Sequence, residues 1–355
     1  MRIKMNKELA EAIVYGGVFL GGGGGGAIQN GLETASKALE LGNIYLVSAD
    51  EVDDGDMIIT ASAVGSPASK EGYISVEHCT RVYELYQKII GKNINGVITN
   101  ENGGHSITNG WVLAASMGIP VIDAPCNGRA HPTGAMGSMG LSMVKDYETW
   151  QVCAGGDSKL GNYMEMATFG NLNKTSAMIR SASVQAGGLV TVLRNNVNAE
   201  YIKENAAVGG LSMAAKIGEV FLKNSGNFDN ILKNLKKVVD VEVLVQGKIS
   251  NLTLEIRNGL DIGYFNIVND QNTEISFINE YMTVDIDDKR IATFPDLIVT
   301  MDKNTGEVKT SATIKENDQI AILKVPKKSL ILGKGMNDIT LMKDMEALLN
   351  KQLID

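Results

Sequence analysis

The hydrophobic period changes once along these 355 residues, and that change limits the possible folds more than any single motif does. Up to about residue 238, apolar residues recur at helical spacing in segments separated by short apolar runs. Residues 6–17, Ala27–Leu41 (through Ile28, Leu32, Ala35 and Leu39), Val76–Ile90 (through Val82, Leu85, Tyr86 and Ile89) and Ile107–Met117 predict helices. Ile44–Val47, Met57–Thr60, Gly96–Thr99 and Pro120–Ile122 predict strands. Short apolar strands alternating with helices predict an α/β fold, a three-layer-like N-terminal domain around a mostly parallel sheet. Lys174–Val238 reads as helices, among them Leu211–Leu222 after Gly209-Gly210, with one strand at Leu189–Leu193. From Val241 the period becomes two. Val241, Val243 and Val245 alternate with Glu242 and Leu244, and Leu252, Leu254 and Ile256 alternate with Thr253, Glu255 and Arg257. Thr273–Phe277, Leu297–Met301 and Gln319–Val325 continue the strand-like runs, and Asp338–Lys351 closes the chain as a helix. The second part is therefore expected to be a β-rich α+β domain of short antiparallel strands, forming its own sheet layer. The composition shift places the boundary near 170, giving segments 1–170 and 171–355.

Charge then narrows the class of partner. Lys and Arg number 33 against 41 Asp and Glu, a net charge of −8. Nucleic acid or an anionic membrane would require a basic face, so neither is an expected partner; Lys233–Lys237 reads as the solvated face of a helix. Three cysteines, Cys79, Cys126 and Cys153, do not make a disulfide framework. Together with 16 methionines they fit a reducing compartment. Basic Arg2, Lys4 and Lys7 are followed by Glu8 and Glu11, and the next apolar stretch is broken by Gly16 and Gly17, which is no signal-peptide core. A cytoplasmic homo-oligomer acting on a small-molecule substrate is the expectation.

Three polar segments could carry chemistry. In Gly21–Gly26, followed by a helix, the amides of Gly23, Gly24, Gly25 and Gly26 could meet an anion or oxyanion with the aid of the helix N-terminus; a close-packing turn is the plainer reading. No Lys-Ser or Lys-Thr follows, so it is not a phosphate loop of the Walker type. Asn100-Glu101-Asn102-Gly103-Gly104-His105 follows a predicted strand, where α/β sheets bind ligands. It offers Glu101 as base and His105 as acid, base or ligand, with Gly103 and Gly104 admitting substrate; capping and turn chemistry is the alternative. The third segment, Asp123 to Pro132, also follows a strand. It brings the Asp123 carboxylate, the Cys126 thiol, the Arg129 guanidinium and the His131 imidazole within nine residues. Arg129 suits a substrate carboxylate through paired hydrogen bonds. Cys126 is a candidate nucleophile if its thiolate is favoured, and a small buried apolar residue otherwise. The surrounding stretch 124–140, rich in Gly and Pro, is long enough to suggest either function or disorder. Glu101, His105, Asp123 and His131 lack recognised metal-ligand spacing. No cofactor is expected, and a divalent metal is left open. The methionines between Met136 and Met178 read as core filler.

Taken in order, these motifs resemble a known family. The glycine run with Gly31-Leu32, then Gly65-Ser66-Pro67, Glu101-Asn102-Gly103-Gly104, Asp123-Ala124, Gly128-Arg129-Ala130, Pro132 and Met136 continue into Ile275–Glu280 and Thr293–Ile298. As a set they resemble the S-methyl thiohydantoin desulfurase family, long catalogued as a domain of unknown function and linked to hydantoin utilisation. Pro125, His131 and Thr133 depart from the pattern expected there, as does His105, which marks a distinct subfamily. The resemblance implies an N-terminal α/β domain, a β-rich C-terminal domain, and cleavage of a carbon–sulfur bond in a five-membered ring. The implied activity is a hydrolase of a hydantoin-like or S-methyl thiohydantoin-like cyclic amide. In it water or Cys126 attacks the ring carbon, Glu101 or Asp123 is the base, and His105 or His131 is the acid. Arg129 holds a carboxylate and the glycine amides take the developing charge. Glu280, beside Asn279, is expected to reach the substrate from the second domain. The alternative is a non-catalytic module that binds an anion or nucleotide, or a subunit of a ring-opening complex. The two differ in whether the Asp123–His131 cluster faces the glycine loop.

Overall fold

The computed structural model describes residues 1–66 and 68–353; Pro67 of the Gly65-Ser66-Pro67 motif and the last two residues lie outside the described residues. Strands β1 (Arg2–Lys4), β2 (Tyr45–Val47), β3 (Met57–Gly65), β4 (Gly96–Thr99), β5 (Val121–Ile122), β6 (Glu148–Gly155), β7 (Met164–Asn171) and β8 (Leu189–Asn198) form one sheet in the order β1-β2-β5-β4-β3-β8-β6-β7. The α/β expectation holds, but the sheet is mixed and not mostly parallel as expected, with four of its seven strand pairs antiparallel. The neighbours β2, β5, β4 and β3 pair parallel. The rest pair antiparallel: β1 on β2, and β8, β6 and β7 beyond β3. The connection from β6 to β7 spans only residues 156–163, too short for the crossover a parallel pair needs. Neither strand stood out in the sequence, because β7 is a half-exposed edge strand without an apolar run. β8 follows the position-170 boundary in the chain and yet lies in the middle of this sheet.

Helices α1 (Lys7–Leu20), α2 (Ile28–Leu41), α3 (Val76–Ile89), α4 (Trp111–Met117), α5 (Leu172–Gln185), α6 (Ala199–Asn205), α7 (Gly210–Lys223) and α8 (Phe228–Leu235) accompany the first sheet. α1 begins at Asn6, whose side chain accepts from the Leu9 amide. It runs through Gly16 and Gly17, the break expected from sequence, to Leu20. Those glycines are a packing device. α1 crosses α7 so closely that a Cβ on Gly16 would lie 1.8 Å from the Ala214 carbonyl oxygen, and one on Gly218 would lie 1.7 Å from that of Ala12.

The second sheet contains β9 (Glu242–Arg257), β10 (Leu260–Val268), β11 (Thr273–Ile278), β12 (Glu280–Ile286), β13 (Lys289–Thr293), β14 (Leu297–Asp302), β15 (Val308–Lys309) and β16 (Gln319–Val325). Its order is β13-β12-β11-β10-β9-β16-β14-β15, and every pair is antiparallel. It is a separate layer, as the period-two pattern predicts. The two alternating runs at 241–245 and 252–256 are one strand, because the first part of β9 pairs with β16 and the remainder with β10. Helix α9 (Ile339–Leu349) ends the described chain. The largest apolar core joins α1 and α7 both to the first sheet, through Ile59, Val97 and Leu193, and to the second, through Leu297, Val299 and Leu323. A core shared in this way sets the two sheets in fixed relation and lets a cavity form between them. Among the described residues no helix is long and apolar enough to cross a membrane.

Candidate active site

A cavity of about 230 Å³ lies where the first sheet's strand ends meet the second sheet. The three polar segments singled out in sequence all reach it. Gly25 and Gly26 come from the glycine run, Asn100, Glu101 and His105 from the loop after β4, and His131–Gly134 from the segment after β5. The end of β3, Arg180 of α5 and Arg194 of β8 complete the first domain's share. Asn279 and Glu280, with Thr310 and Thr313, enter from the second.

The loops are held by their own backbone. The Gly25 carbonyl accepts from the amides of both His105 (2.8 Å) and Ser106 (2.9 Å), clasping the glycine run to the Glu101 loop. A Cβ on Gly103 would come within 2.4 Å of Gly25 Cα, so only glycine permits this approach. The second domain grips the same run, with Tyr281 N donating to Gly22 O and Ser311 N to Gly23 O. The glycine run is thus a joint between domains. Gly23 packs against the Tyr281 ring, Gly24 against Glu280, and Gly104 against the Gly26 carbonyl. Gly23, Gly24, Gly103 and Gly104 therefore do not border the cavity as the sequence suggested; Gly25 and Gly26 do. The amides of these two donate no hydrogen bond among the described residues. Helix α2 begins just beyond them, with Ala27 at its N-cap and no side chain capping it.

Segment 124–140 is neither loose nor surface-bound: it is almost wholly buried. Its backbone is satisfied by neighbours, Cys126 N by Thr99 O and Ala130 N by Leu20 O. His131 N donates to Glu101 Oε2 at 3.2 Å, and His131 Nε2 lies 3.3 Å from both that oxygen and Asn100 O. The Nε2 hydrogen bond goes to Asn100 O, and Glu101 Oε1 accepts no hydrogen bond among the described residues. Gly137 backs the imidazole so closely that a Cβ there would lie 2.5 Å from Nε2. Burial holds the His131 imidazole below its usual range, against the pull of Glu101. Burial also takes His105, whose Nε2 lies 3.3 Å from Thr34 Oγ1, down to about 4. Burial thus favours the neutral form of both rings, which makes neither well suited to the acid role expected of His105 or His131.

Three further expectations are corrected by position. The Asp123 carboxylate does not face the cavity. It holds the N-terminus of α7, accepting from the amides of Leu211 (2.8 Å) and Ser212 (3.2 Å) and from Ser212 Oγ (2.5 Å). Cys126 is fully buried against Thr60 Oγ1 (3.3 Å), and burial pushes its thiol up to about 12. A buried neutral thiol is an inert core residue. Cys126→Ala is therefore expected to keep turnover within a few-fold of the parent, where a covalent nucleophile would lose on the order of 10⁴-fold; loss of the latter size in a steady-state assay would restore Cys126 to the mechanism. Arg129 lies behind the glycine run. Its Nη1 donates to Pro295 O (3.1 Å) and Asp296 O (2.6 Å), its Nε donates to Ala130 O (3.0 Å), and its guanidinium stacks 4.4 Å over the Phe294 ring. It is a structural cation between domains, and burial lowers its pKa to about 10.

The cations that do line the cavity escaped the sequence reading. Arg180 donates to Gly259 O (2.9 Å) and Pro132 O (3.0 Å). Arg194 is 1% exposed and makes no hydrogen bond or ion pair among the described residues; its Nε is buried without a partner. Burial lowers both, and at Arg180 the charge of Arg194 lowers it further. A signal for Arg194 was present: by strand parity it shares the face of fully buried Val190 and Val192. No group of three or more His, Cys, Asp or Glu among the described residues is placed to hold a metal ion.

Comparison with known proteins adds the following. A family model described as "S-Me-THD-like, N-terminal domain" matches residues 8–159, and one described as "S-Me-THD-like, C-terminal domain" matches residues 171–337. A crystal structure of a protein from Chromobacterium violaceum is similar with a TM-score of 0.73 at 18% identity, covering 99% of this chain and 100% of that one. At this identity the likeness concerns the fold alone. No curated protein matches the chain.

Proposed function

Since the chain belongs to the S-Me-THD-like family through both of its domains, we propose that it hydrolyses a hydantoin-like or S-methyl thiohydantoin-like five-membered cyclic amide bearing an anionic substituent. The observation that carries this reading is the composition of one cavity, in which the Glu101–His131 pair faces Arg194, a buried cation without a counter-ion. A buried guanidinium with no partner is costly, and an anionic group on the substrate relieves that cost. Arg180 and the uncapped N-terminus of α2 add to the same positive field. The role first assigned to Arg129 passes to Arg194.

Glu101 acts as the base. His131 N–H fixes Oε2, and Oε1 takes a proton from water as its oxygen adds to the ring carbon. The negative charge that develops on the ring faces the amides of Gly25 and Gly26. A plain binder of an anion has no need of a carboxylate set among the cations, which favours the enzyme over the binding module.

The test is a mass-spectrometric screen of the purified protein against hydantoins, S-methyl thiohydantoins and lactams, each with and without a carboxylate arm. Ring hydrolysis or thiol release is expected from the carboxylate-bearing members of the first two classes, and no product from any of them overturns the reading. Arg194→Gln is expected to raise KM about 10–100-fold for carboxylate-bearing substrates, the size of one lost charged hydrogen bond, and to leave neutral analogues unchanged. An equal effect on both would remove Arg194 from substrate recognition.

A further inference from the structure

Breaking a ring amide or thioether bond requires a proton for the departing atom, and neither imidazole at the cavity carries a spare one. We infer that Glu280 supplies it, so that the hairpin tip of the second sheet carries the proton donor for the leaving group. The inference rests on the cyclic-amide reading above.

The tip is built to aim this side chain. β11 and β12 are joined by Asn279 alone, in the left-handed region at φ 54°, with Ile278 paired to Glu280 across the turn. Asn279 is pinned from both sides, because its amide donates to Asp261 O (2.7 Å) and its Oδ1 accepts from Asp261 N (2.9 Å). Its carbonyl also accepts from Ser311 Oγ. A bulge between Ser276 and Phe277 turns the strand just before the tip, a common way of re-aiming a side chain near a site. The Glu280 side chain borders the cavity, is 1% exposed, and has an Oε2 that makes no hydrogen bond. Its Oε1 lies against Gly24, where a Cβ would come within 1.9 Å.

The charged groups that bear on Glu280 are Glu101 from the loop after β4, Arg129 from the segment after β5, and Arg180 from α5. His105, His131 and Arg194 complete the titratable set at the cavity. Among the described residues no ion pair within 4.0 Å joins Glu280 to any of the arginines. A buried carboxylate whose donor is its own backbone amide, with one oxygen unpartnered and no counter-ion in ion-pair contact, is poorly stabilised as an anion. Burial, reinforced by the negative charge of Glu101, holds the Glu280 carboxyl well above the usual carboxylate range, and Arg129 only partly opposes this. Two carboxyl groups in one cavity thus divide the work: Glu101 takes a proton and Glu280 gives one.

The step balances. Water's oxygen bonds to the ring carbon and one of its protons passes to Glu101. The carbon–sulfur or carbon–nitrogen bond breaks, its electron pair stays on the departing atom, and that atom takes the proton of Glu280. The proton held by Glu101 then returns to Glu280, so both groups begin the next cycle as they began this one.

The first test needs no substrate. The full chain is labelled with ¹³C in its glutamate carboxyl groups, and the spectrum of Glu280→Gln is subtracted from that of the parent across pH. A protonated Glu280 carboxyl at pH 7 is expected, and an ionised one overturns the inference. The second test uses whichever screened substrate is turned over. The parent's kcat should fall as pH rises through the Glu280 titration, because only the acid form donates, and Glu280→Gln should lose that alkaline limb. Glu280→Gln should also lower kcat on the order of 10²–10³-fold for a poor leaving group and far less for an activated one. Equal losses for both kinds of leaving group also overturn it. A protonated Glu280 in a chain that hydrolyses nothing in the screen sinks the substrate reading and leaves the proton assignment standing.

Discussion

Replacing Glu101 by Gln is expected to lower kcat on the order of 10³-fold, within the range a positioned base contributes, with little change in KM. The amide keeps the size of the side chain and can still accept from the His131 amide at 3.2 Å. It cannot take a proton from water. The proposed binding of an anionic arm is assigned to Arg194 and Arg180 on other elements, so ground-state affinity is expected to survive. Steady-state kinetics on the best substrate, with calorimetric binding of a non-hydrolysable analogue, separates the two quantities. If Glu101→Gln turned over at near the parental rate, the base would have to be sought elsewhere in the cavity. If it lost affinity and kept kcat, Glu101 would be a binding group.

The second large effect concerns folding. Gly16→Ala should destabilise the chain by about 3 kcal/mol, at the upper end of what an inserted methyl costs in a packed core. The intruding Cβ would meet backbone, the Ala214 carbonyl 1.8 Å away, and no side chain there can swing aside. Either α1 or α7 must shift, and both contribute to the core shared by the two sheets. A fall in Tm of about 4 °C is expected for a chain of this size, measured by calorimetry or circular dichroism. Gly55→Ala, where a Cβ would meet nothing within 4 Å, serves as the control. An unchanged Tm for Gly16→Ala would mean that the helix crossing is looser than the geometry describes.

The parts of this structure legible in the sequence are those fixed by local pattern. β4 was found at its observed bounds because Gly96–Thr99 is a short apolar run between polar loops. The separate second sheet was visible because alternation is a property of neighbouring residues. Pairing with distant segments was not visible. β9 looked like two strands because it changes partner midway, and β7 looked like nothing because an edge strand buries little.

The same distinction runs through the site. The loops that converge were found by their position after strands. The roles of Asp123, Cys126 and Arg129 were not, because each depends on what lies opposite in space: the start of α7, the Thr60 hydroxyl, and the carbonyls of Pro295 and Asp296. Reactive side chains in polar-looking segments are here spent on architecture, while Arg194 in an apolar strand is left without a partner at the cavity. What tells them apart is the set of partners each side chain meets in space.

The single-residue turn at Asn279 has a consequence for the order of events during synthesis. The first sheet, the glycine run and the water-activating pair all leave the ribosome well before Glu280 does. Because the core of α1 and α7 also takes in Leu297, Val299 and Leu323, the cavity wall is completed only after those residues have been made. Competence arrives in one step, when the hairpin seats and Tyr281 and Ser311 take hold of the Gly22 and Gly23 carbonyls.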